Sequence, residues 1–203
     1  MRRLAVVLLA GTAMMPAQKH PTKAGVFDYY VMSLSWAPDF CQGKAPDDEC
    51  GQHRGFVLHG LWPENFDGTF PENCPTKLTA SPSLIPEMPA AIVPHEWQTH
   101  GACDVAGGTP AMFFRKAAAD FHHIKIPAQL QQPAATVSLK PADVATAFAT
   151  ANGAGSAATS FTTACAGKEV DVRICLDKNG LLTRCRIKSD CAANTPLKFL
   201  PTN

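Results

Sequence analysis

An α+β fold is predicted for this 203-residue chain, as a single disulfide-stapled domain behind a short leader. Three observations predict it. Alternating segments at Tyr29–Trp36 and Glu169–Leu176 read as strands, whereas the segments after Thr109-Pro110 and from Pro141 carry helical stripes, in mixed order along the chain. The third is an even set of eight cysteines (41, 50, 74, 103, 165, 175, 185 and 191) without the close CxxC pairs of a zinc cluster. The length suffices for one sizeable core, and nothing requires a second domain.

At the N-terminus, Arg2 and Arg3 precede an apolar run, Leu4 to Ala10, and small residues at Gly11, Thr12, Ala13 and Ala17. This is the pattern of a secretory signal, residues 1–17, with cleavage after Ala13 or Ala17 and a domain over 18–203. The run is too short to span a bilayer, so no membrane anchor is expected. Disulfides behind a signal place the chain in the periplasm or outside the cell. Loss of Arg2 and Arg3 turns the formal charge of +1 into 16 basic against 17 acidic residues. A chain this neutral lacks the basic footprint of a non-specific nucleic-acid binder, so a polyanionic partner needs a local site.

Each element has a local reason. Tyr30, Met32, Leu34 and Trp36 line one face of the first strand and Ser33 and Ser35 the other, a half-buried pattern. Gly55 to His59 reads as a short buried strand ending at His59. Seven prolines from Trp62 to Pro94, the last included, predict a long irregular region. Pro94 opens a short helix on which Glu96 and His100 share a face and His95 pairs with Thr99. Thr109 caps a helix whose stripe is Phe113, Ala117, Phe121 and Ile124. A further helix, Pro141 to Ala151, carries Val144 and Phe148 and stops at Asn152-Gly153. Gly153 to Ser160 reads as a flexible loop. Val170, Val172, Ile174 and Leu176 line one face of a late strand, and Asn179-Gly180 turns it into Leu181–Ile187 as a hairpin. Cys175 faces Cys185 there only with an odd-length loop or a bulge. Spacing alone leaves 105 connectivities for eight cysteines.

The chemistry concentrates in Phe56-Val57-Leu58-His59-Gly60-Leu61-Trp62-Pro63 and His95-Glu96-Trp97-Gln98-Thr99-His100-Gly101-Ala102-Cys103. These hold three of the seven histidines, two of the three tryptophans and one carboxylate between imidazoles. Imidazoles titrate near pH ~6.5 and exchange protons at neutral pH, so the pattern points to acid–base work on a substrate with its own nucleophile. A metalloprotease needs His-Glu-x-x-His; His95 and His100 are five apart, roughly 140° around a helix, and are not expected to share a metal. His20, His53, His122 and His123 are read as side chains without chemistry, and Trp97 as core. Trp62 beside His59 offers a face for base stacking.

These residues resemble the two active-site segments of the ribonuclease T2 family. The likeness extends through Tyr29-Tyr30-Val31, Ser35-Trp36-Ala37-Pro38, Phe70-Pro71, Cys74 and Val172-Arg173-Ile174-Cys175-Leu176-Asp177, from about Phe27 to Cys191. The resemblance implies a mainly antiparallel central sheet packed with helices, and a metal- and cofactor-independent endoribonuclease acting on single-stranded RNA as a monomer. It implies His100 as general base, His59 as general acid, Glu96 beside them at the phosphorane, His95 on phosphate, and Trp62, Glu64 and Phe70 around the base. It also implies bridges Cys74–Cys103, Cys165–Cys191 and Cys175–Cys185, which leaves Cys41–Cys50. One position departs: the family commonly carries lysine where this chain has Thr99, and one such stabiliser is worth on the order of 10²–10³ in turnover. Arg115 or Lys116 is a candidate replacement. The alternative is a weakened relative that binds RNA or a protein, against which His59, Glu96 and His100 are all retained.

Overall fold

Strand β1 (Tyr29–Trp36) forms the middle of the protein, and all eight of its residues are buried. The computed structural model describes residues 23–44, 50–154, 159–167 and 169–202. The expected leader, His20 and residues 155–158 of the 153–160 loop lie outside the described residues. β1 pairs antiparallel with β2 (Phe56–Glu64) on one side and β5 (Asp171–Leu176) on the other; β4 (Phe161–Ala164) completes the order β2-β1-β5-β4. Its core face, with Tyr30, Met32, Leu34 and Trp36, packs beneath the helices, as the alternation predicts. The other face is not solvated as a half-buried strand would be. Tyr29 and Val31 lie under Cys175, Trp62, Cys185 and Ile187, and Ser33 and Ser35 are buried in the site described below.

β2 corrects the sequence reading and shapes the site. It does not end at His59 but runs on to Glu64, so the irregular region starts later than Trp62. The register steps from Ser33↔Gly60 to Leu34↔Leu58, leaving His59 as the extra residue of a β-bulge. Unbroken alternation from Phe56 and Leu58 would send Trp62 inward and Leu61 outward. The bulge reverses this: Leu61 is fully buried, and Trp62 joins His59 on the opposite face. Pro63 is tolerated because β2 is an edge strand.

The helices are α1 (Ala37–Cys41), α2 (Val93–Thr99), α3 (Pro110–His123) and α4 (Pro141–Ala151). The Thr109 side chain caps α3 by accepting from the Met112 N–H at 3.3 Å. The buried face of α3 centres on Phe113, Phe114 and Ala117, with Phe121 only partly covered, so the stripe is rotated from the expected one. Asn152 and Gly153, with φ of +63° at the glycine, end α4 as the sequence predicts. Two elements carried no readable signal: β4, and a second ribbon of β3 (Val137–Leu139) with β6 (Leu197–Phe199). Phe199 closes the core against Trp36 and Phe56.

All four disulfides pair as the resemblance implies: Cys41–Cys50, Cys74–Cys103, Cys165–Cys191 and Cys175–Cys185. The segment Leu181–Ile187 is not a full strand. It touches β5 in one bridge, Leu176↔Leu182, across an odd-length loop, and then leaves, with Cys185 N–H donating to Thr159.

Candidate active site

The site lies on the sheet face opposite the helical core, under the C-terminal end of α2. β2 supplies His59 and Trp62, β1 supplies Ser33 and Ser35, and β5 supplies Asp171 and Arg173. α2 brings Glu96, and His100 follows as its C-cap. Two links hold α2 in place. The Cys74–Cys103 bridge and the Asn73 N–H to Thr99 carbonyl bond (2.7 Å) tie the proline-rich loop to its end. Trp97 is buried as expected and donates to the Leu78 carbonyl at 2.9 Å.

Glu96 is the hub. Its side chain is 2% exposed; Oε2 accepts the Trp62 indole N–H at 2.8 Å, and Oε1 lies 3.9 Å from His59 Nε2. Burial raises its pKa to about 7, against the Trp62 hydrogen bond and the His59 charge. Across Trp62, whose ring is 5.6 Å from His59 and 5.4 Å from His100, the two imidazoles are driven apart. For His59, burial works against the proton, but the hydrogen bonding and charge of Asp171 and the charges of Glu96 and Glu169 outweigh it, and the pKa rises. For His100, burial together with the charges of His95 and His59 lowers it to about 4. Relative to an ordinary imidazole, one ring holds its proton more tightly and the other gives it up more readily.

His95 is exposed, with its ring 6.4 Å from His100 and its Nδ1 3.4 Å from the Thr99 hydroxyl, so the helical pairing is as expected. The geometric argument against a shared metal fails. His100 has left the ideal helix path, with φ −116° and ψ −52°, and ligand atoms of His95, Glu96 and His100 all lie within 4.8 Å of one another. These three can hold an ion, which would occupy the His100 imidazole.

Glu64 stands at the end of β2, where burial raises its pKa to about 7 against the charge of Arg173. Phe70 is 49% exposed beyond β2 and, among the described residues, has no ring partner, so the structure does not join it to Trp62. Lys116 is not a stand-in for the missing lysine: it pairs with Asp120 at 2.8 Å and lies over the Tyr30 ring on the core side of the sheet. Arg115 is exposed on α3. The cation the sequence reading passed over is Arg173, on the site face of β5 with its guanidinium 5.5 Å from the Trp62 ring. Ser35 and Asp171 were missed too. Their signal was present, since the polar positions of two alternating neighbour strands must share a face. His122, assigned no role, pairs with Glu87 at 2.7 Å.

A disulfide-stapled antiparallel sheet presenting two imidazoles around a buried carboxylate defines a protein suited to proton transfer. Residues 27–185 match the model of the ribonuclease T2 family, and the chain belongs to that family. A ribonuclease of Aeromonas hydrophila is 40% identical over 109 residues, 48% of this chain and 49% of that protein. Ribonuclease DdI of Dictyostelium discoideum is 28% identical over 201 residues, 88% of this chain and 86% of that protein. The match thus spans about half the length of the Aeromonas protein. Ribonuclease MC1 from bitter gourd seeds superposes with a TM-score of 0.63 at 21% identity, covering 86% of this chain and all of its own, which establishes the shared fold.

Proposed function

We propose that this chain is an endoribonuclease that cleaves single-stranded RNA by transphosphorylation to a 2′,3′-cyclic phosphate and then hydrolyses that ring to a 3′-phosphate. The observation that carries the reading is the pair of imidazoles displaced in opposite directions around Glu96. His100 takes the proton of the 2′-hydroxyl as its oxygen attacks phosphorus. His59 gives its Nε2 proton to the departing 5′-oxygen as the P–O5′ bond breaks. The roles reverse when water opens the ring. Glu96 sits between them, where it can orient both and respond to the changing charge of the phosphorane. His95 is the phosphate ligand at the open side. Trp62, anchored by Glu96, offers its face to the base, with Glu64 nearby to accept or donate a hydrogen bond and Phe70 as an exposed aromatic beyond the strand.

Variants of the ribonuclease MC1 fold relative were solved with 5′-GMP and with 5′-UMP, which supports a nucleotide-binding site on this fold. The weakened-relative reading is not favoured, because the acid–base set is assembled, and Arg173 puts positive charge at the edge of the site. Residues 1–17 act as a secretory signal, and 18–203 form the catalytic domain, working as a monomer in the periplasm or outside the cell. Four disulfides support an oxidising compartment. Among the described residues no helix is long and apolar enough to cross a membrane.

The test is incubation of the oxidised chain with single-stranded RNA, in EDTA, with end-group analysis. Cyclic-phosphate ends should appear first and 3′-phosphates later, and His59→Ala or His100→Ala should abolish both. An enzyme silenced by EDTA and restored by zinc or magnesium would overturn the mechanism.

A further inference from the structure

We propose that Ser35 and Asp171 are positioning residues that hold His59 with a proton on Nδ1 and aim its Nε2 at the reacting phosphate. The inference rests on the reading of His59 as general acid. The geometry is a three-member relay across three strands. His59 Nδ1 lies 2.8 Å from Ser35 Oγ, and the Ser35 hydroxyl donates to Asp171 Oδ1 at 2.5 Å. Asp171 Oδ2 stands 3.7 Å from the same Nδ1 and accepts a second hydroxyl, from Ser33 at 3.2 Å.

Proton counting then fixes the tautomer. A serine hydroxyl has one hydrogen, and an ionised carboxylate only accepts. With the Ser35 hydrogen on Asp171, Ser35 Oγ must accept from His59, so Nδ1 carries its hydrogen in both charge states. The proton that comes and goes is on Nε2, which faces Glu96 at 3.9 Å and the open side of the site. The bulge makes this possible. Displaced from the ladder at Ser33↔Gly60, His59 leans over β1 toward the row Val57, Ser35 and Asp171.

The charged groups facing His59 are Asp171 on β5, Glu169 just before it, Glu96 on α2 and the His100 ring beyond Trp62. Asp171 is first among those that raise the His59 pKa. Its side chain is 15% exposed and that of His59 35%, so the charge acts with little solvent between the two. A purely structural role is a poor account of a carboxylate that gathers two hydroxyls and an imidazole: the β1–β5 ladder is complete without side chains.

The test is long-range ¹H–¹⁵N NMR of His59 in the full oxidised chain, alongside the pH profile of kcat/KM. Wild type should show a single Nδ1–H tautomer. Asp171→Asn should lower the His59 pKa by about one unit and carry the alkaline limb down with it, so activity falls about tenfold more at pH 8 than at pH 5. The acid limb should stay in place, and Asp171→Glu, which keeps the charge, should keep the raised titration. Ser35→Ala should mix the tautomers even if Asp171→Asn does not fold. An unchanged His59 pKa, tautomer and alkaline limb in the folded variants would overturn the relay, whatever happens to the rate. A lowered His59 pKa that the alkaline limb does not follow would uphold the relay and overturn the general-acid role instead.

Discussion

Gly60 lies directly beneath the hydrogen bond that orders the site, and Gly60→Ala tests whether that bond matters. A Cβ at this position would meet Trp62 Nε1 and Glu96 Oε2 well inside van der Waals contact, together with the indole Cε2 at 2.8 Å. Ordinary contact begins near 3.4 Å, so the indole and the carboxylate must part by about 1 Å. A hydrogen bond to a charged group contributes about 1.5–3 kcal/mol, and forcing a methyl into a packed site costs about 1–3 kcal/mol. A displacement of that size near reacting groups costs about 10²-fold in rate. At about 2–4 °C per kcal/mol, Tm should fall by about 5–24 °C while the fold persists. The assay is kcat and KM on a single-stranded RNA, with the melt measured in parallel. Trp62→Phe supplies the control: it removes the N–H and frees the space, so adding Gly60→Ala to it should cost much less than Gly60→Ala alone. A folded Gly60→Ala protein of wild-type kcat would refute the argument that the Trp62–Glu96 contact sets the catalytic geometry.

Three further outcomes are expected. Replacing Cys74 and Cys103 together by serine opens a bridge with a sequence separation of 29 residues, which should cost about 3–4 kcal/mol by denaturant unfolding and reduce activity further by freeing the end of α2. Thr99→Lys should raise kcat with little change in KM, whereas Arg173→Ala should lower kcat; a rate indifferent to both would remove the phosphorane charge argument. His100 has its folded pKa lowered to about 4 from an ordinary 6.5, so its contribution to stability is full above 6.5 and lost as pH falls toward 4. Glu96 is raised to about 7 from 4.5, so its contribution is full below 4.5 and lost as pH rises through 7. Thermal melts of His100→Ala should therefore lose less Tm than wild type between pH 6.5 and 4, and those of Glu96→Gln less between pH 5 and 8.

The sequence by itself determined what depends on neighbours along the chain. Alternation in Tyr29–Trp36 marked the central strand, Thr109-Pro110 marked the start of a helix, and Pro94 with the i, i+4 spacing put Glu96 and His100 on one side of α2. The residue types of the two histidine segments were enough to indicate proton transfer. What it left open depended on contacts between distant residues. The bulge at His59 follows from pairing β2 against β1, and only that pairing turns Trp62 outward and Leu61 inward. Ser35 and Asp171 are 136 residues apart and become partners only because β5 lies beside β1. The same holds for proton affinity. Both imidazoles begin alike and both lose solvent on burial; one rises because Asp171, Glu96 and Glu169 outweigh that loss, and the other falls because the charges it faces are those of His95 and His59. A side chain's type is local, but its field and its solvent are set by the tertiary structure, and that decides which histidine gains proton affinity and which loses it.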